Sequence, residues 1–343
     1  MGTETGEQPR RIRNISELAK LAGVSAGTVS RALAGKDLVN PQTRERIQAL
    51  AHAHGFRPNQ MASRLRTGHT GVIGVVIPLG HEQKQQISDP FFMTLLGHLA
   101  DELTAGGYDL MLSRVIPSDR EDWLDRIVDS GMLDGVLMIG QSDQFETIER
   151  VAARYRPMVV WGTGRAGQQH CVVGTDSFAG GHLAAGHLIG RGCRRLAFFG
   201  DTRGIEIEQR LAGARAALAE SGSGATLDTF ATPLSIQAMP EQIAADLDRM
   251  DPAVDGIFAA SDLIAMATLR HLHERGRKVP GDIAVVGFDD LDLATQTVPR
   301  LTTVHQDIAG GARAMVSSLL QRIGGAVTPS MVMQPRLVVR ESA

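Results

Sequence analysis

Apolar residues follow two different patterns along this chain, and the change between them falls near residue 70. Before that point, apolar positions recur every three or four residues within short segments, which predicts small amphipathic helices. After it, short continuous apolar runs alternate with longer amphipathic segments, and this alternation predicts buried parallel strands joined by helices. The pattern therefore predicts a small helical domain followed by a larger α/β domain.

The first two predicted helices are joined by a glycine turn. Asn14 has Glu17 three residues later, which is typical of a capping box, and the helix that begins there ends at Gly23. Val24 is predicted to be buried in the turn, and Ser25 to cap the second helix through its hydroxyl. The predicted unit is two short helices with a fixed connection.

A third predicted helix begins at Asn40 with Pro41 at its first position, and it ends at Gly55. The predicted inward-facing residues of the three helices are Ile15, Leu18, Ala19, Ala22, Val29, Ala32, Leu33, Ile47, Leu50 and Ala51. Two short helices packed on a third form a helix-turn-helix, which lays the second helix in the major groove of DNA. The spacing A-G-V-S-x-x-T-V-S-R favours this interpretation over a three-helix bundle without a ligand.

The remainder of the chain contains two blocks of alternating strands and helices. The predicted strands are 71–77, 108–114, 135–140, 158–162, 172–176, 194–200, 256–261 and 283–290, and the predicted helices are 91–105, 119–130, 144–154, 178–191, 206–221, 237–250 and 262–275. Two such blocks predict two doubly wound lobes with parallel sheets. Ligands of these sheets bind beyond the carboxyl ends of the strands, so a cleft between the lobes is expected.

Charge is unevenly distributed over the 343 residues, although the composition, with 43% hydrophobic and 21% charged residues, is that of ordinary globular domains. Residues 1–66 hold 11 Lys and Arg against 5 Asp and Glu, a net charge of +6, and the rest of the chain carries −9. A basic N-terminal segment on an acidic body indicates contact with a polyanion.

Several classes of protein are disfavoured by the sequence. Two cysteines, Cys171 and Cys193, do not indicate a disulfide framework, and neither a signal peptide nor a membrane-spanning apolar run is evident. No Walker or HExxH motif occurs. We therefore expect a cytoplasmic protein that is not an enzyme and uses no cofactor or metal.

Three stretches resemble the lac repressor/galactose repressor (LacI/GalR) family of transcriptional regulators: "ISELAKLAGVSAGTVSRALAG" (15–35), "VNPQTRERI" (39–47) and "GFRPNQMASRLRTGHTGVIGVVIP" (55–78). The resemblance covers essentially the whole chain. It implies a sequence-specific DNA-binding repressor that acts as a homodimer on near-palindromic operator DNA, is released by a small-molecule effector and has no membrane partner.

The resemblance also implies the order of the domains. The expected boundaries are a flexible tail at 1–12, the helix-turn-helix domain at 13–58, a hinge helix and linker at 59–70, and a two-lobed effector domain of the periplasmic-binding-protein type I fold at 71–343. Its first lobe is expected at 71–173 with about 304–330, and its second at 174–303 with about 331–343. The hinge of eight residues, 59–66, is too short to be helical alone in water. A flexible linker is the alternative.

By the resemblance, the bases are read by Ala26, Gly27 and Arg31, and Leu65 of the hinge helix wedges into the minor groove. Only Arg31 can make a bidentate contact with guanine, so specificity is expected to depend on Arg31, Leu65 and the deformability of the duplex. The expected phosphate contacts are Ser25, Thr28, Ser30, Asn40 and Asn59.

The effector residues are expected at the ends of strands and at positions where relatives hold a ligand. They are Asp89, Phe91, Phe92, Trp161, Asp176, Arg210, Ser261, Asp262, Asp289 and Gln306. The segment "SDPFF" (88–92) resembles a loop whose phenylalanines stack on sugar rings, and Arg210 matches the arginine that clamps effectors in the family. Phe92 and Trp161 can equally be core residues. The longer first loop, 80–89, is expected to lie on the surface apart from Asp89.

These residues favour a carbohydrate effector, with an α-glucoside or another di- or oligosaccharide as the expected class. A nucleoside- or purine-responsive repressor is the alternative within the family, and a sugar-binding transport protein is the alternative outside it. The absence of a heptad repeat after Val339 favours a dimer over a tetramer. Whether the effector is an inducer or a corepressor stays open.

Overall fold

The computed structural model describes residues 12, 14–33, 39–56, 69–79, 85–117 and 121–343. The chain divides into two compact units, Met1–Thr70 and Gly71–Ala343. The expected hinge helix, with Asn59 and Leu65, lies outside the described residues, as does nearly all of the expected tail.

The N-terminal unit contains three helices, α1 (Ile15–Ala22), α2 (Ala26–Leu33) and α3 (Pro41–Ala53). The side-chain oxygen of Asn14 accepts a hydrogen bond from the backbone N–H of Glu17 at 2.9 Å, and its amide donates to the Glu17 carboxylate at 3.1 Å. The predicted start of α1 is confirmed, and the two residues cap it reciprocally.

The turn between α1 and α2 uses a left-handed glycine. Gly23 has φ 63° and ψ 32°, a conformation that costs glycine little, and its N–H donates to the carbonyl of Lys20 at 3.3 Å. Ser25 caps α2 as predicted, since its hydroxyl accepts from the N–H of Thr28 at 3.1 Å. Val24 was wrongly predicted to be buried: it packs at the edge of the three-helix core and is half-buried.

One fully buried residue from each helix forms the centre of this unit: Leu18, Val29 and Ile47. Each side chain contributes about 1.5–3 kcal/mol by leaving water. Of the ten residues predicted to face inward, Ile15, Leu33 and Leu50 are half-buried and the others are buried.

The second unit alternates strands and helices along its whole length. Its strands are β1 (Val72–Pro78), β2 (Asp109–Val115), β3 (Gly135–Ile139), β4 (Met158–Trp161), β5 (Cys171–Thr175), β6 (Arg195–Phe199), β7 (Thr226–Phe230), β8 (Gly256–Ala259), β9 (Ala284–Asp289), β10 (Thr302–His305), β11 (Met331–Met333) and β12 (Arg336–Val338). Its helices are α4 (Pro90–Ala105), α5 (Trp123–Val128), α6 (Phe145–Ala152), α7 (Ser177–Gly190), α8 (Ile205–Ser221), α9 (Met239–Arg249), α10 (Asp262–Glu274) and α11 (Ile308–Ile323), with a 3₁₀ turn at Asp292–Thr295. No described helix is long and apolar enough to span a bilayer.

The first lobe contains a parallel six-stranded sheet in the order β11-β5-β4-β3-β1-β2. Leu95 and Leu99 of α4 and Met315 of α11 cover one face of this sheet. Leu124 of α5 and Ile148 of α6 cover the other. Both faces are therefore buried, which explains why the strands are continuous apolar runs in the sequence.

The second lobe contains a sheet in the order β12-β10-β9-β8-β6-β7, which is parallel except for the edge strand β12. Its core includes Phe198 and Phe258, whose rings meet edge to face with centroids 5.2 Å apart. Both lobes are therefore doubly wound with mainly parallel sheets, as predicted.

The observed boundaries between the lobes differ from the predicted ones. β5 stays in the first sheet as far as Thr175, two residues beyond the predicted limit. The segment from about 331 to 343, expected wholly in the second lobe, contains two short strands in different sheets, because β11 pairs with β5 whereas β12 pairs with β10. Residues 331–333 consequently belong to the first lobe.

Candidate functional site

A cleft lies at the carboxyl ends of strands from both sheets. It is lined by Pro78, Leu79, Gln85, Asp89, Phe91, Phe92, Ile139, Gly140, Ser142 and Trp161 of the first lobe and by Gly204, Glu206, Ile207, Arg210, Leu234, Ala260, Ser261 and Asp289 of the second. Its free volume is about 790 Å³, part of it open to solvent. A concave site with both aromatic and charged lining residues is typical of small-ligand pockets.

Three aromatic residues form one wall of the cleft. Phe91 lies between Phe92 and Trp161, with ring centroids at 6.1 and 5.9 Å. Phe91 and Phe92 are half-buried in the first turn of α4, whereas Trp161, at the end of β4, is 4% exposed. The Trp161 ring packs so closely on Gly311 of α11 that a Cβ there would overlap it. Trp161 is therefore both a core residue and part of the cleft lining.

Asp89 caps α4 at the edge of this wall. Its carboxylate accepts hydrogen bonds from the N–H of Phe91 at 2.9 Å and from the side-chain amide of Gln85 at 3.1 Å. Burial raises the pKa of Asp89. The sequence left contacts from the first loop beyond Asp89 unassigned, and Gln85 of that loop lines the cleft. Residues 80–84 of that loop lie outside the described part of the chain.

Arg210 of α8 is the positive charge among the described residues of the lining. Its guanidinium lies 3.6 Å from the centroid of the Phe288 ring, and Nη1 donates to the carbonyl of Ala260. Nη1 is also 4.0 Å from a carboxylate oxygen of Asp289. Nε has no hydrogen-bond partner among the described residues. The side chain is thus fixed by stacking and by one carbonyl while it lines the cleft.

Asp289 and Ser261 complete the polar lining of the second lobe. Asp289 ends β9 with φ 123°, an uncommon conformation for a non-glycine residue that is typical of ligand sites. Burial raises the pKa of Asp289 to about 7, although the charge of Arg210 opposes this shift. The hydroxyl of Ser261 caps α10 by accepting from the N–H of Ile264 at 3.3 Å.

Two of the carboxylates predicted to bind the effector do not line the cleft. Asp176 caps α7, where its carboxylate accepts from the N–H of Ala179 at 2.9 Å. Asp262 is fully buried and accepts from the N–H of Leu291 at 2.8 Å and from the hydroxyl of Thr303. Both positions follow strands, but their carboxylates are used by the fold rather than aimed into the cleft.

Gln306 is also absent from the lining and lies behind it: its amide donates to the carboxylate of Asp289 at 2.7 Å. The sequence reasoning missed Gln85, Ser142 and Glu206, which do line the cleft. The sequence did contain an indication of Glu206: it lies four residues before Arg210, so the two share a face of α8.

On the N-terminal unit, α2 presents the residues predicted to read bases. Arg31 is exposed, and its Nε donates to the carbonyl of Gly27 at 3.2 Å. Gly27 is exposed as well, and because glycine has no side chain it adds no bulk beside the Arg31 side chain. Ala26, which was also predicted to read a base, is only partly accessible, because it packs against the three-helix core.

Three of the four described residues predicted to touch phosphates, Ser25, Thr28 and Asn40, lie near helix starts. The hydroxyls of Ser25 and Thr28 are 2.9 Å apart in the first turn of α2. Asn40 caps α3 by accepting from the N–H of Gln42 at 3.0 Å, and Ser30 is half-buried on α2. Helix starts attract phosphate, because their N–H groups and dipoles point outward.

Comparisons with known proteins agree with this architecture. Residues 14–59 match the model of bacterial regulatory proteins of the lacI family, and residues 185–343 match that of the periplasmic binding protein-like domain. The HTH-type transcriptional regulator CelR of Thermobifida fusca is 32% identical over 97% of this chain and 99% of its own length. The chain belongs to the LacI family.

Two solved structures show how far the likeness extends. The complex of the transcriptional regulator CelR with cellobiose superposes with a TM-score of 0.69 at 29% identity, over 97% of this chain and 100% of that one. The lac repressor dimer bound to operator shares the fold, with a TM-score of 0.83 at 22% identity over 97% and 99% of the two chains. This LacI-family protein is a DNA-binding transcriptional regulator.

Asp289 should make the stability of this LacI-family protein depend on pH. Since its pKa rises from 3.8 in the unfolded chain to about 7 in the fold, the native state binds the extra proton between these values. The contribution of Asp289 to the free energy of unfolding is therefore full below about pH 4 and is lost as pH rises through 7. Urea unfolding of the wild type and of Asp289→Asn should show wild-type stability falling relative to the variant over that window. A difference that stays constant with pH would contradict this assignment.

Proposed function

We propose that this LacI-family protein is a homodimeric repressor that binds a near-palindromic operator and is released when a small uncharged carbohydrate occupies the cleft. The observation that carries the proposal is the cleft itself, which sets an aromatic wall against Arg210 and several carboxylates. The relative CelR, whose complex contains cellobiose, aligns over nearly the whole chain.

The chemistry of the lining suits a sugar. The C–H face of a pyranose ring packs well on Phe91, Phe92 and Trp161, while its hydroxyls can bond to fixed charged groups such as Arg210. Aromatic rings alone would fit a nucleobase equally well. The surrounding charged groups are therefore the feature that favours a polyol.

Charge narrows the class of carbohydrate. Among the described residues of the lining, three acidic side chains, those of Asp89, Glu206 and Asp289, face one cation, Arg210. An anionic ligand such as a sugar phosphate or a nucleotide would be repelled by these carboxylates. Salt screens charges only weakly in a partly buried site, so it would not remove this repulsion. A neutral di- or oligosaccharide meets no such repulsion. Cellobiose, a β-glucoside, replaces the α-glucoside expected from the sequence as the first probe, because the complex of CelR contains it.

A ligand screen with operator release as its readout tests the proposal. Operator sites are first selected from random duplexes by the full-length protein. Thermal shift is then measured with cellobiose, maltose, sucrose, glucose 6-phosphate, adenosine and guanosine, and each stabilising compound is tested for release of the protein from DNA. We expect a neutral saccharide to stabilise and to release. Stabilisation by a nucleoside alone would contradict the proposed effector class. A failure to select any operator would contradict the proposal that the protein is a repressor.

Arg31 is proposed to supply most of the direct base readout. Arg31→Ala should lower affinity for the selected operator by about 5- to 150-fold, the effect of losing a bidentate contact worth about 1–3 kcal/mol. Arg31→Lys is the matched control, because it keeps the charge and loses the planar fork. Fluorescence anisotropy should show both variants losing specific affinity, with binding of Arg31→Lys to random DNA unchanged. Full specific affinity in Arg31→Lys would show that Arg31 contacts only phosphate.

The proposed assembly is a homodimer, since two N-terminal units are needed to match a near-palindrome. Sedimentation of the full chain at micromolar concentration should give twice the chain mass of 36.7 kDa. A monomer under these conditions, both with and without operator, would contradict it.

A further inference from the structure

A buried histidine lies behind the cleft, outside its lining. His170 precedes β5 and is 2% exposed, and both of its ring nitrogens contact hydrogen-bond acceptors. Nδ1 contacts Oε1 of Glu149 on α6, and Nε2 lies 3.1 Å from Oε1 of Gln141. The amide of Gln141 is oriented by its other end, since its Nε2 donates to the carbonyl of Thr163 at 2.7 Å. If the oxygen and nitrogen of the Gln141 amide were exchanged, the Gln141 oxygen would face the carbonyl oxygen of Thr163.

These contacts require both nitrogens of His170 to carry protons. Burial acts to raise the pKa of Glu149, but hydrogen bonds from the N–H groups of His170 and Gln169, at 2.9–3.1 Å, hold it below its usual value. The ionised carboxylate accepts only, so Nδ1 donates to it. The oxygen of Gln141 likewise accepts only, so Nε2 donates to it. Burial lowers the pKa of His170, and the Glu149 carboxylate only partly offsets that shift. The two acceptors that flank the ring, rather than the pKa, are therefore the basis for assigning the imidazolium.

The network continues from His170 into the cleft. The N–H of Thr163, whose carbonyl is held by Gln141, donates to Oε1 of Glu206 at 3.3 Å. Glu206 lies in the first turn of α8 and lines the cleft from the second lobe. Gly162 permits this approach, because a Cβ there would lie 2.6 Å from Oε1 of Glu206 and 2.8 Å from the amide nitrogen of Gln141. Hydrogen bonds on both sides of the Thr163 backbone thus join the His170–Glu149 pair in the first lobe to a lining carboxylate in the second.

We propose that His170 is a positioning residue for the effector cleft: as an imidazolium it fixes Gln141 and, through the backbone of Thr163, the carboxylate of Glu206. A buried donor or acceptor that loses its partner is costly, and a neutral His170 would leave one of the two acceptors that it faces, Oε1 of Glu149 or Oε1 of Gln141, without the imidazole N–H. The proposal rests on the proposed function only in that the cleft holds the effector.

The immediate surroundings of His170 contain few other charges. The ring of Phe145 meets it edge to face with centroids 5.5 Å apart, and the guanidinium of Arg165 lies 4.4 Å from the centroid of the Phe145 ring. Among the described residues that pack around the imidazole, Glu149 and Arg165 are thus the charged groups to consider. Glu149 makes the direct contact, so it decides the charge of His170.

The protonation state can be measured without knowing the effector. Long-range ¹H–¹⁵N correlation spectra of the full-length protein distinguish an imidazolium from either neutral tautomer, and His170→Gln assigns the signal. We expect both nitrogens of His170 to be protonated at pH 7, and one of them only in Glu149→Gln, which keeps shape and loses charge. A neutral tautomer in the wild type would overturn the proposal.

Continuity to the cleft is tested in the same spectra. Glu206→Gln should shift the His170 ring signals, whereas Asp289→Asn, which changes a lining residue outside the network, should leave them in place. Equal effects of the two substitutions, or no effect of Glu206→Gln, would overturn the link between His170 and Glu206.

Effector affinity gives the functional readout. With cellobiose as the probe, calorimetry should show His170→Gln weakening binding about tenfold. His182→Gln is the matched control, because His182 also contacts a glutamate, Glu220 at 2.8 Å, but does so on the surface of α7. Equal affinities of the two variants would overturn the positioning role. If the wild type does not bind cellobiose, that failure counts against the proposed effector alone, and the spectra still decide the role of His170.

Discussion

Arg210→Ala is expected to abolish the response to effector while leaving operator affinity within about twofold of the wild type. The wild-type guanidinium stacks on Phe288, bonds to the carbonyl of Ala260 and sits beside Asp289. Its removal takes away the charged donors for an effector hydroxyl, each worth about 1.5–3 kcal/mol, and leaves Asp289 without its cation. We therefore expect effector affinity to fall by at least about 100-fold.

The measurement for Arg210 is calorimetry with the saccharide found in the ligand screen, paired with operator release by anisotropy. Arg270→Ala is the control, since Arg270 lies on the surface of α10 and pairs there with Glu274 at 2.9 Å. Release of DNA from Arg210→Ala at the wild-type effector concentration would show that the cleft is not the regulatory site.

Gly181→Ala is expected to destabilise the second lobe strongly. Gly181 lies on α7 where this helix packs against α8, and a Cβ at this position would overlap the backbone carbonyl of Arg210. The opposite side of the contact is equally tight, because a Cβ on Gly213 would overlap the carbonyl of Phe178. Backbone atoms cannot move aside as a flexible side chain can, so α7 and α8 must move apart to accommodate the added methyl group. We expect a loss of about 3 kcal/mol or more in the free energy of unfolding.

Gly186 provides a matched control on the same helix. It is exposed, and nothing lies within 4 Å of the position that its Cβ would occupy. Gly186→Ala should raise stability by up to about 1 kcal/mol, because alanine is the better helix former. Urea unfolding followed by circular dichroism compares the two variants. Similar stabilities would mean that α7 and α8 are not in backbone contact.

The fold was accessible from the sequence because its signals are periodic and redundant. The eight predicted strands from 71–77 to 283–290 all occur within two residues of their predicted limits, since each is an apolar run between helices. The helix-turn-helix was equally accessible, because Asn14, Gly23 and Ser25 each have a specific local role. The short strands β11 and β12 were not separated, because three-residue strands leave little periodicity to detect.

The residues of the cleft were only partly accessible. Of the ten residues predicted to bind the effector, seven line the cleft and three, Asp176, Asp262 and Gln306, do not. A strand end locates a residue to one edge of a sheet but does not decide where its side chain points. Asp262 shows this limit, since its carboxylate turns into the core to meet Leu291 and Thr303. Gln85 gave no signal, because its position depends on the path of an irregular loop.

The central claim is that occupancy of the cleft and binding to operator oppose each other. The coupling between two sites is reciprocal, so the effector must weaken operator binding by the same factor by which operator weakens effector binding. The decisive measurement is a complete cycle on the full-length protein: operator affinity with and without saturating saccharide, and saccharide affinity with and without saturating operator. We expect equal factors of about 5- to 150-fold in the two directions. An operator affinity that does not change when the cleft is saturated would contradict the account.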